Sequence, residues 1–316
     1  MRGGIDLGGT KIQAAIVDDG KVVADARRPT PTKGGPDGVG AQMAEAMKEA
    51  AAAAKLETGS LEGIGVGSPG DVDEMSGTVT GARNLPGWEG SFPLADRLSD
   101  ALGASVKVGN DVQVAVNAEK KLGAGRPYKS FIGVFWGTGV GGGVILDGKE
   151  WLGRGAAGEI GHMVIKLGGA RCTCGRRGCL EAYAGRGAME IEARREHEKG
   201  TKTDLFKIMK KKDHVRLTSG IWERALDDGD KLAEKLIDRA VKALAAGIAS
   251  AVNLLDVEAV VIGGGLGVRF GEPYVEKISK HMHKHLFVDD NPPAMHVAQL
   301  GDFGGAIGAS LLFDQS

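Results

Sequence analysis

Two short glycine-rich turns carry residues that could bind phosphate groups, and each turn stands between two apolar stretches. Backbone N–H groups in such turns reach phosphate oxygens without obstruction by bulky side chains, and a threonine hydroxyl adds one more donor. A plain hairpin turn would have the same composition, because glycine motifs are weak indicators on their own. The candidate phosphate-binding residues are Gly8, Gly9, Thr10 and Lys11 in the first turn and Gly137, Thr138 and Gly139 in the second.

Two further features extend the phosphate-binding hypothesis. Asp6 precedes the first turn, and from there its carboxylate could reach a Mg²⁺ ion through water. Gly263 and Gly264 begin a triple glycine after an apolar stretch, which would let a nucleotide lie against the backbone. The sequence has no Walker A motif and no G-x-G-x-x-G after its first predicted strand, so P-loop and dinucleotide-binding proteins are disfavoured.

The cysteines form a candidate metal site. All three lie between positions 172 and 179 in a C-x-C-x₄-C arrangement, and an odd, clustered set is a poor disulfide framework. Together with one histidine they offer four nitrogen and sulfur ligands, which is typical of a closed, structural zinc site. Three buried thiols are the alternative, which the polar neighbours Arg171 and Arg176 disfavour. The predicted ligands are His162, Cys172, Cys174 and Cys179.

Asp111 could serve as a general base. It follows Asn110 where a helix is expected to begin, and the helix dipole keeps a carboxylate ionised at that position. An ionised carboxylate could accept the proton of a sugar hydroxyl while that hydroxyl attacks a phosphate. A helix cap is the structural alternative for Asp111, and the two roles are compatible.

Glu159 and Glu181 flank the cysteine segment and could bind the hydroxyl groups of a polyol, since carboxylates are good hydrogen-bond acceptors. A surface charge is the alternative for each of them. Glu159 lies in a stretch, 155–161, that is otherwise uncharged, which is unusual for a solvated helix face. Asn84 is a further candidate. The histidines at 281, 283 and 285 are interpreted as a solvated helix end rather than a second metal site.

The elements that must position these residues are those of an α/β protein. Both halves of the chain begin with an apolar strand, a glycine turn, a second strand and an Asp-Gly turn, which indicates a duplicated architecture. The second glycine loop is predicted to extend over 137–143. Further strands are predicted over 63–68, 105–108 and 259–262, and helices over 41–55, 111–122, 187–199, 230–255 and 304–313.

Composition narrows the class of protein. A chain of 316 residues is long enough for two α/β lobes. Lys and Arg total 40 against 41 Asp and Glu, and aromatic residues make up only 5%, so we expect no nucleic-acid partner and no membrane surface. No stretch approaches the roughly 20 apolar residues of a membrane helix, and the N-terminal residues lack the pattern of a signal peptide. We therefore expect a soluble, cytoplasmic protein.

Taken together, the motifs resemble those of the ROK family (repressor, open reading frame, kinase), in particular its bacterial glucokinase-like members. The resemblance covers nearly the whole chain. Its most specific parts are G-E-I-G-H at 158–162 and C-T-C-G-R-R-G-C-L-E at 172–181. It also includes D-L-G-G-T-K at 6–11, N-L-P-G-W at 84–88, N-D at 110–111 and G-T-G-V-G-G-G at 137–143.

The resemblance implies an α/β fold of the actin-like (ribonuclease H-like) type, with two lobes and ATP in a cleft between them. It implies a small lobe over 1–118, to which a helix at about 300–316 returns, and a large lobe over 119–299 that contains the zinc loop. MgATP would be the phosphoryl donor, zinc would be structural, and the protein would be a homodimer. The stretch 65–70 departs from the longer polar segment usual in the family, so Ser68 is left out of the predicted sugar site.

The resemblance also implies residue roles. Asp111 would be the catalytic base, and His162 would serve both zinc and sugar. The sugar would be contacted by Asn84, Asn110, Asp111, Glu159, His162 and Glu181. The nucleotide site would be lined by Gly9, Thr10, Thr138 and Gly264.

The function that follows is phosphorylation of a hexose at its 6-hydroxyl, with glucose as the first expectation. N-acetylmannosamine, N-acetylglucosamine, mannose or fructose could replace glucose, and polyphosphate could replace ATP, although it favours a more basic cleft. A sugar-responsive repressor would need a DNA-binding module, for which there is no room ahead of the first glycine turn. A zinc-stabilised sugar-binding protein without turnover is the non-enzymatic alternative.

Overall fold

The structure is a computed structural model, and it describes residues 1–82, 85 and 87–314. Its strands are β1 Arg2–Leu7, β2 Lys11–Asp18, β3 Lys21–Pro29, β4 Ile64–Ser68, β5 Asp71–Asp73, β6 Thr78–Thr80, β7 Ser91–Phe92, β8 Val106–Asn110, β9 Phe131–Trp136, β10 Val140–Leu146, β11 Lys149–Glu150, β12 Ala259–Gly263 and β13 Ala294–Val297. Its α-helices are α1 Gly35–Ala53, α2 Leu94–Leu102, α3 Asp111–Leu122, α4 Glu181–Ala184, α5 Arg186–Glu198, α6 Leu205–Lys211, α7 Ser219–Asp227, α8 Lys231–Leu255, α9 Gly264–His283 and α10 Gly304–Ser310.

The chain divides into two compact units. Unit 1 comprises Met1–Arg126 together with Asp302–Ser316, and unit 2 comprises Pro127–Gly301. The lobe boundaries expected from the sequence, after residue 118 and after residue 299, stay a prediction. Among the described residues, no helix is both long enough and apolar enough to cross a membrane.

Unit 1 is built on a five-stranded sheet with the strand order β3-β2-β1-β4-β8. Strands β1, β2 and β3 are antiparallel neighbours, whereas β4 and β8 run parallel to β1. Helices cover both faces of the sheet. A Cβ on Gly3 would lie 2.9 Å from Met47 of α1, and a Cβ on Gly4 would overlap the backbone of Ala306 in α10. Because successive strand residues face opposite sides, these glycines let both helices approach β1 closely.

The parallel strands of unit 1 end at a common edge, and this edge positions the first set of candidate residues. Asp6 pairs in register with Gly67 of β4, and Ser68 of β4 pairs with Asn110 at the end of β8. Ligands of open α/β sheets bind outside the carboxyl ends of parallel strands. The register therefore brings Asp6 and Asn110 to the edge at which a ligand would be expected.

Unit 2 repeats this arrangement with a sheet of order β11-β10-β9-β12-β13. Strands β9, β10 and β11 are antiparallel neighbours, and β12 and β13 run parallel to β9. The duplication predicted from the two hairpins is therefore confirmed. The core of unit 2 includes the buried Trp136 and Trp222, and the indole N–H of Trp136 donates to the carbonyl of Ala184 at 2.7 Å. This bond attaches the end of β9 to α4.

The predicted glycine loop over 137–143 is wrong in its second half. Strand β10 already begins at Val140 and continues through the following glycines. A Cβ on Gly142 would lie 2.6 Å from the carbonyl oxygen of Gly158 and 2.8 Å from Ile160. These glycines thus allow close packing of a strand against a neighbouring segment, and only Gly137–Gly139 form the turn.

Candidate functional site

The first glycine turn is the tight connection between β1 and β2. The N–H of Gly8 donates to the carbonyl of Lys11 at 2.9 Å, and the hydroxyl of Thr30 donates to the carbonyl of Gly8 at 2.6 Å. Gly9 and Thr10 are exposed at the tip. A turn that is fixed at its base and exposed at its tip can present backbone donors to a phosphate.

Asp6 lies beside this turn in a mostly desolvated position. A Cβ on Gly305, in the first turn of α10, would lie 2.6 Å from Cγ of Asp6, so only glycine fits there. Burial raises the pKa of Asp6 from 3.8 to about 6, the Lys11 ammonium lowers it, and Asp302 raises it. A carboxylate destabilised in this way gains from a cation, because a nearby positive charge favours its ionised form.

The start of α3 shows which residue caps the helix. The side-chain oxygen of Asn110 accepts hydrogen bonds from the N–H groups of Val112 at 3.1 Å and Gln113 at 3.2 Å. Asn110 is thus the N-cap, and Asp111 is the first helical residue. Asp111 Oδ1 accepts from Val112 N–H at 2.9 Å. The cap that was the structural alternative for Asp111 is therefore supplied by its neighbour.

The glycine turns of unit 2 lie next to each other. Gly137 N–H donates to the carbonyl of Gly139 at 3.0 Å, and a Cβ on Gly137 would lie 3.9 Å from the backbone N of Gly265. Gly264 has a φ of 78°, and a Cβ there would lie 2.7 Å from the carbonyl of Trp136. Side chains are excluded from this contact, so the turn at 137–139 and the turn that follows Gly263 meet through backbone alone.

Two polar residues that the sequence analysis leaves unassigned also lie at these turns. Arg186 Nη2 donates to the hydroxyl of Thr138 at 2.8 Å. The hydroxyl of Ser219 lies 3.6 Å from the position of a Cβ on Gly265. Arg186 stands between two glycines in the sequence, and a charge held in a glycine segment is the signal that could have revealed it. Ser219 carries no comparable signal.

The four predicted metal ligands come together in unit 2. Their ligand atoms all lie within 4.8 Å of one another. The sulfurs of Cys174 and Cys179 are 3.7 Å apart, and Cys172 Sγ is 3.8 Å from Nδ1 of His162. A tetrahedral zinc with bonds of about 2.0–2.3 Å separates its ligand atoms by about 3.6–3.8 Å. The donor set and its spacing therefore fit a zinc-sized ion.

The two ring nitrogens of His162 face different groups. Nδ1 points to the cysteine sulfurs, whereas Nε2 lies 3.9 Å from a carboxylate oxygen of Glu159. A metal at Nδ1 would leave a proton on Nε2, where it can be donated to a carboxylate or another acceptor. The side chain of Glu159 is 59% exposed, so it can also meet a ligand from solvent.

The protonation of the cysteines depends on the metal. Burial raises the pKa of the Cys172 thiol to about 12, and the Glu181 carboxylate also raises it. Without a cation this side chain is therefore a neutral thiol at neutral pH. Because a metal binds the thiolate, ion binding would release this proton.

Glu181 connects the cysteine segment to the second glycine turn. Its Oε1 accepts from the hydroxyl of Thr173 at 2.9 Å, and its Oε2 accepts from the N–H of Val140 at 3.0 Å. A Cβ on Gly139 would overlap this carboxylate. Both carboxylate oxygens of Glu181 thus accept hydrogen bonds from the protein, so this side chain is held in place beside the second glycine turn.

Other predicted or excluded positions are placed as follows. Asn84 lies outside the described residues. Ser68 is buried, and its hydroxyl donates to the carbonyl of Pro69 at 3.1 Å. His281 and His283 lie in the last turn of α9, and within the described part of the chain they join no cluster of metal-ligating side chains.

The chain resembles known proteins over most of its length. The profile of the ROK family matches residues 2–316. A glucokinase from Thermotoga maritima is 35% identical over 284 residues, which cover 87% of this chain and 86% of that protein. An N-acetylmannosamine kinase from Haemophilus influenzae is 29% identical over 307 residues, or 97% of this chain and 93% of that protein.

A solved structure extends the similarity to the fold. The structure of a ROK family glucokinase from Streptomyces griseus, in complex with glucose and AMPPNP, is 30% identical. It superposes with a TM-score of 0.83 and covers 100% of this chain and 99% of that one. The expected actin-like α/β fold is therefore confirmed.

Proposed function

The chain belongs to the ROK family, and on that premise we propose that it transfers the γ-phosphate of ATP to the 6-hydroxyl of a hexose, with glucose as the preferred acceptor. It is an ATP-dependent sugar kinase. The observation that supports this function is the common strand edge in unit 1, where Asp6 lies near the end of β1 and Asp111 directly follows the end of β8. Relatives named glucokinase and the complex with glucose and AMPPNP support the choice of glucose and ATP.

The reaction assigns a separate task to each acidic residue of unit 1. Two strand spacings separate Asp6 from Gly109, next to Asn110, or about 10 Å between Cα atoms. Asp6 would hold Mg²⁺ through water, and the amides of Gly9 and Thr10 would bind phosphate. Asp111 accepts the proton of the 6-hydroxyl as its oxygen bonds to γ-phosphorus, while the bond from γ-phosphorus to the ADP oxygen breaks.

In unit 2, acceptors and donors for sugar hydroxyls surround the metal cluster. Glu159 and Glu181 would accept hydrogen bonds, and Nε2–H of His162 would donate one. On this proposal Asn84 and Asn110 complete the sugar contacts. The turn at 137–139 and Gly264 would lie against the nucleotide.

We propose zinc as the ion of the cluster His162, Cys172, Cys174 and Cys179. Four nitrogen and sulfur ligands complete a tetrahedral shell and leave no open position for a reacting water. The ion therefore shapes the loop, whereas the chemistry belongs to Asp111 and MgATP. The homodimer that the family resemblance implies, and the cytoplasmic location expected from the sequence, both stay predictions.

The substrate assignment is tested with a panel of sugars. We expect ADP release with MgATP and glucose, and a kcat/KM for glucose at least about tenfold above that for N-acetylmannosamine, since one misfitting group typically changes binding by 1–3 kcal/mol. N-acetylmannosamine is the second candidate because a kinase for that sugar is 29% identical. A higher kcat/KM for N-acetylmannosamine would make that sugar the preferred acceptor. Absence of ADP release with every hexose would contradict kinase function.

The raised pKa of Asp6 predicts that kcat/KM for MgATP falls at low pH. Below about pH 6 the carboxylate is protonated and cannot hold Mg²⁺, so kcat/KM for MgATP should fall about tenfold per pH unit. Asp6→Asn should lower kcat/KM at pH 8 by at least about 100-fold and remove this fall at low pH. The measurement is a pH–rate profile of both proteins.

The same substitution should raise stability. The folded pKa of Asp6, about 6, lies above its ordinary value, so between pH 4 and 6 the native state binds more protons than the unfolded state. Stability is therefore lost as the pH rises through this window, by up to about 3 kcal/mol. Asp6→Asn should recover that amount at pH 8 in urea unfolding. Asp18→Asn, at the exposed end of β2, is the matched control and should change neither rate nor stability.

A further inference from the structure

The start of α5 is bonded to the first two residues of the second glycine turn, Gly137 and Thr138. Arg186 Nη2 donates to the hydroxyl of Thr138 at 2.8 Å, and its backbone N–H donates to the carbonyl of Gly137 at 3.1 Å. The N–H of Gly187 donates to the carbonyl of Thr138 at 2.9 Å. The Arg186 guanidinium is therefore held against the turn that is proposed to meet phosphate.

In the part of the chain that the structure describes, Arg186 has no directly paired carboxylate. The nearby carboxylate is Glu190, which already accepts from Arg194 Nη2 at 2.6 Å, Arg216 Nε at 3.4 Å and Leu217 N–H at 3.0 Å. Among the residues that the structure describes, no carboxylate lies within 4 Å of the Arg186 guanidinium. Glu190 is thus already paired with two other arginines, and Arg186 adds a third positive charge near it without a direct partner of its own in the described residues.

A second guanidinium converges on the same place. A Cβ on Gly187 would lie 4.0 Å from Nη2 of Arg216, so both arginine side chains lie next to this short segment. Burial lowers the pKa of Arg186, Glu190 raises it, and the like charge of Arg216 lowers it. Arginine remains charged in proteins, so the repulsion persists until an anion arrives.

We propose that Arg186, with Arg216 beside it, binds the β- and γ-phosphates of the nucleotide directly. The guanidinium has five N–H donors, of which one is used on Thr138, so others remain for phosphate oxygens. The inference rests on the proposed kinase function and deepens it, because it adds a positively charged side chain to the second glycine turn, whose own residues offer backbone N–H groups and one hydroxyl. Its charge would stabilise the oxygens of the transferring phosphoryl group.

Binding by a series of nucleotides tests this proposal. Arg186→Met should lower the affinity for AMPPNP with Mg²⁺ by about 10- to 100-fold, as expected for the loss of charge-assisted hydrogen bonds. The affinity for adenosine, which has no phosphate, should stay within about twofold. Calorimetric titration of AMPPNP, ADP and adenosine into both proteins gives this comparison. Arg186→Lys should retain part of the AMPPNP affinity, because it keeps the charge but loses the planar fork.

A second arginine of α5 provides the control for this experiment. Arg195→Met removes an exposed arginine of α5 that pairs with Glu192, and it should leave AMPPNP affinity unchanged. AMPPNP affinity within about twofold of wild type in Arg186→Met would overturn the proposal. So would an equal loss for AMPPNP and adenosine, since that pattern means a merely structural role for Arg186.

Two further outcomes keep the proposal distinct from the assigned function. If Arg186→Met does not fold, the titration of Arg186→Lys with AMPPNP tests the proposal instead. Unchanged AMPPNP affinity in that variant would overturn the proposal, because lysine cannot make the paired hydrogen bonds of the guanidinium. If wild type releases no ADP with any hexose, yet loses AMPPNP affinity on substitution of Arg186, the kinase assignment fails while the phosphate site stands.

Discussion

Asp111→Asn is expected to lower kcat for glucose phosphorylation by about 100- to 10,000-fold, the range over which general base catalysis contributes. Asparagine cannot accept the proton of the 6-hydroxyl. It does keep a side-chain oxygen for the N–H of Val112, to which Asp111 is bonded at 2.9 Å. Because Asn110 supplies the cap, α3 should remain intact. The measurements are steady-state ADP release and a glucose titration, in which the affinity should fall by no more than about tenfold.

The control for this substitution removes the same charge from a comparable position. Asp96 lies in the first turn of α2, is exposed, and belongs to the same unit. Asp96→Asn should change stability by no more than about 0.5 kcal/mol and leave kcat unchanged. A rate for Asp111→Asn within about threefold of wild type would contradict the assignment of Asp111 as the base.

The hairpins of both sheets were predictable because their determinants are local. Each contains an Asp-Gly pair, and both residues of each pair have positive φ: 45° and 74° at Asp19-Gly20, and 50° and 77° at Asp147-Gly148. Two successive positive φ values are those of the type I′ turn, whose twist matches that of the flanking strands. The metal cluster could also be predicted from the sequence, since its ligands are of rare residue types and three of them are close in sequence.

Contacts between residues far apart in the sequence could not be predicted from local patterns. Arg186 bonds to Thr138 across 48 positions, and Glu181 bonds to Val140 across 41. Nothing in the local pattern around either residue names its partner. The glycines from 141 onward resembled a loop for the same reason, because their close neighbours, near residue 160, are contributed by another part of the chain.

The helix start at 110–111 shows a third limit of sequence reasoning. Asparagine and aspartate are both good N-caps, and the sequence placed them side by side. Only the bonds from Val112 and Gln113 to Asn110 decide which of the two residues caps the helix. That decision separates the structural role from the chemical role proposed for Asp111.

Loss of the metal cluster is expected to affect sugar binding more than nucleotide binding. Cys179 is fully buried among the ligands, so Cys179→Ser should abolish stoichiometric zinc and cost about 2–3 kcal/mol, or roughly 5–10 °C in Tm. KM for glucose should rise at least about tenfold, because His162 and the Thr173–Glu181 bond lose their support. Metal analysis, thermal unfolding and steady-state kinetics measure the three effects.

Two variants of the same segment separate the metal from the carboxylate that it supports. Thr173→Val removes the hydroxyl that donates to Glu181 at 2.9 Å but leaves all four ligands, so it should keep zinc and Tm while raising KM for glucose severalfold. Arg171→Ala, at an exposed non-ligand position of the same segment, should change none of these quantities. Wild-type KM for glucose in a zinc-free Cys179→Ser protein would mean that the cluster does not position the sugar-binding side chains. A raised KM in Thr173→Val with full zinc would instead show that the Thr173–Glu181 hydrogen bond supports sugar binding even when the ion is in place.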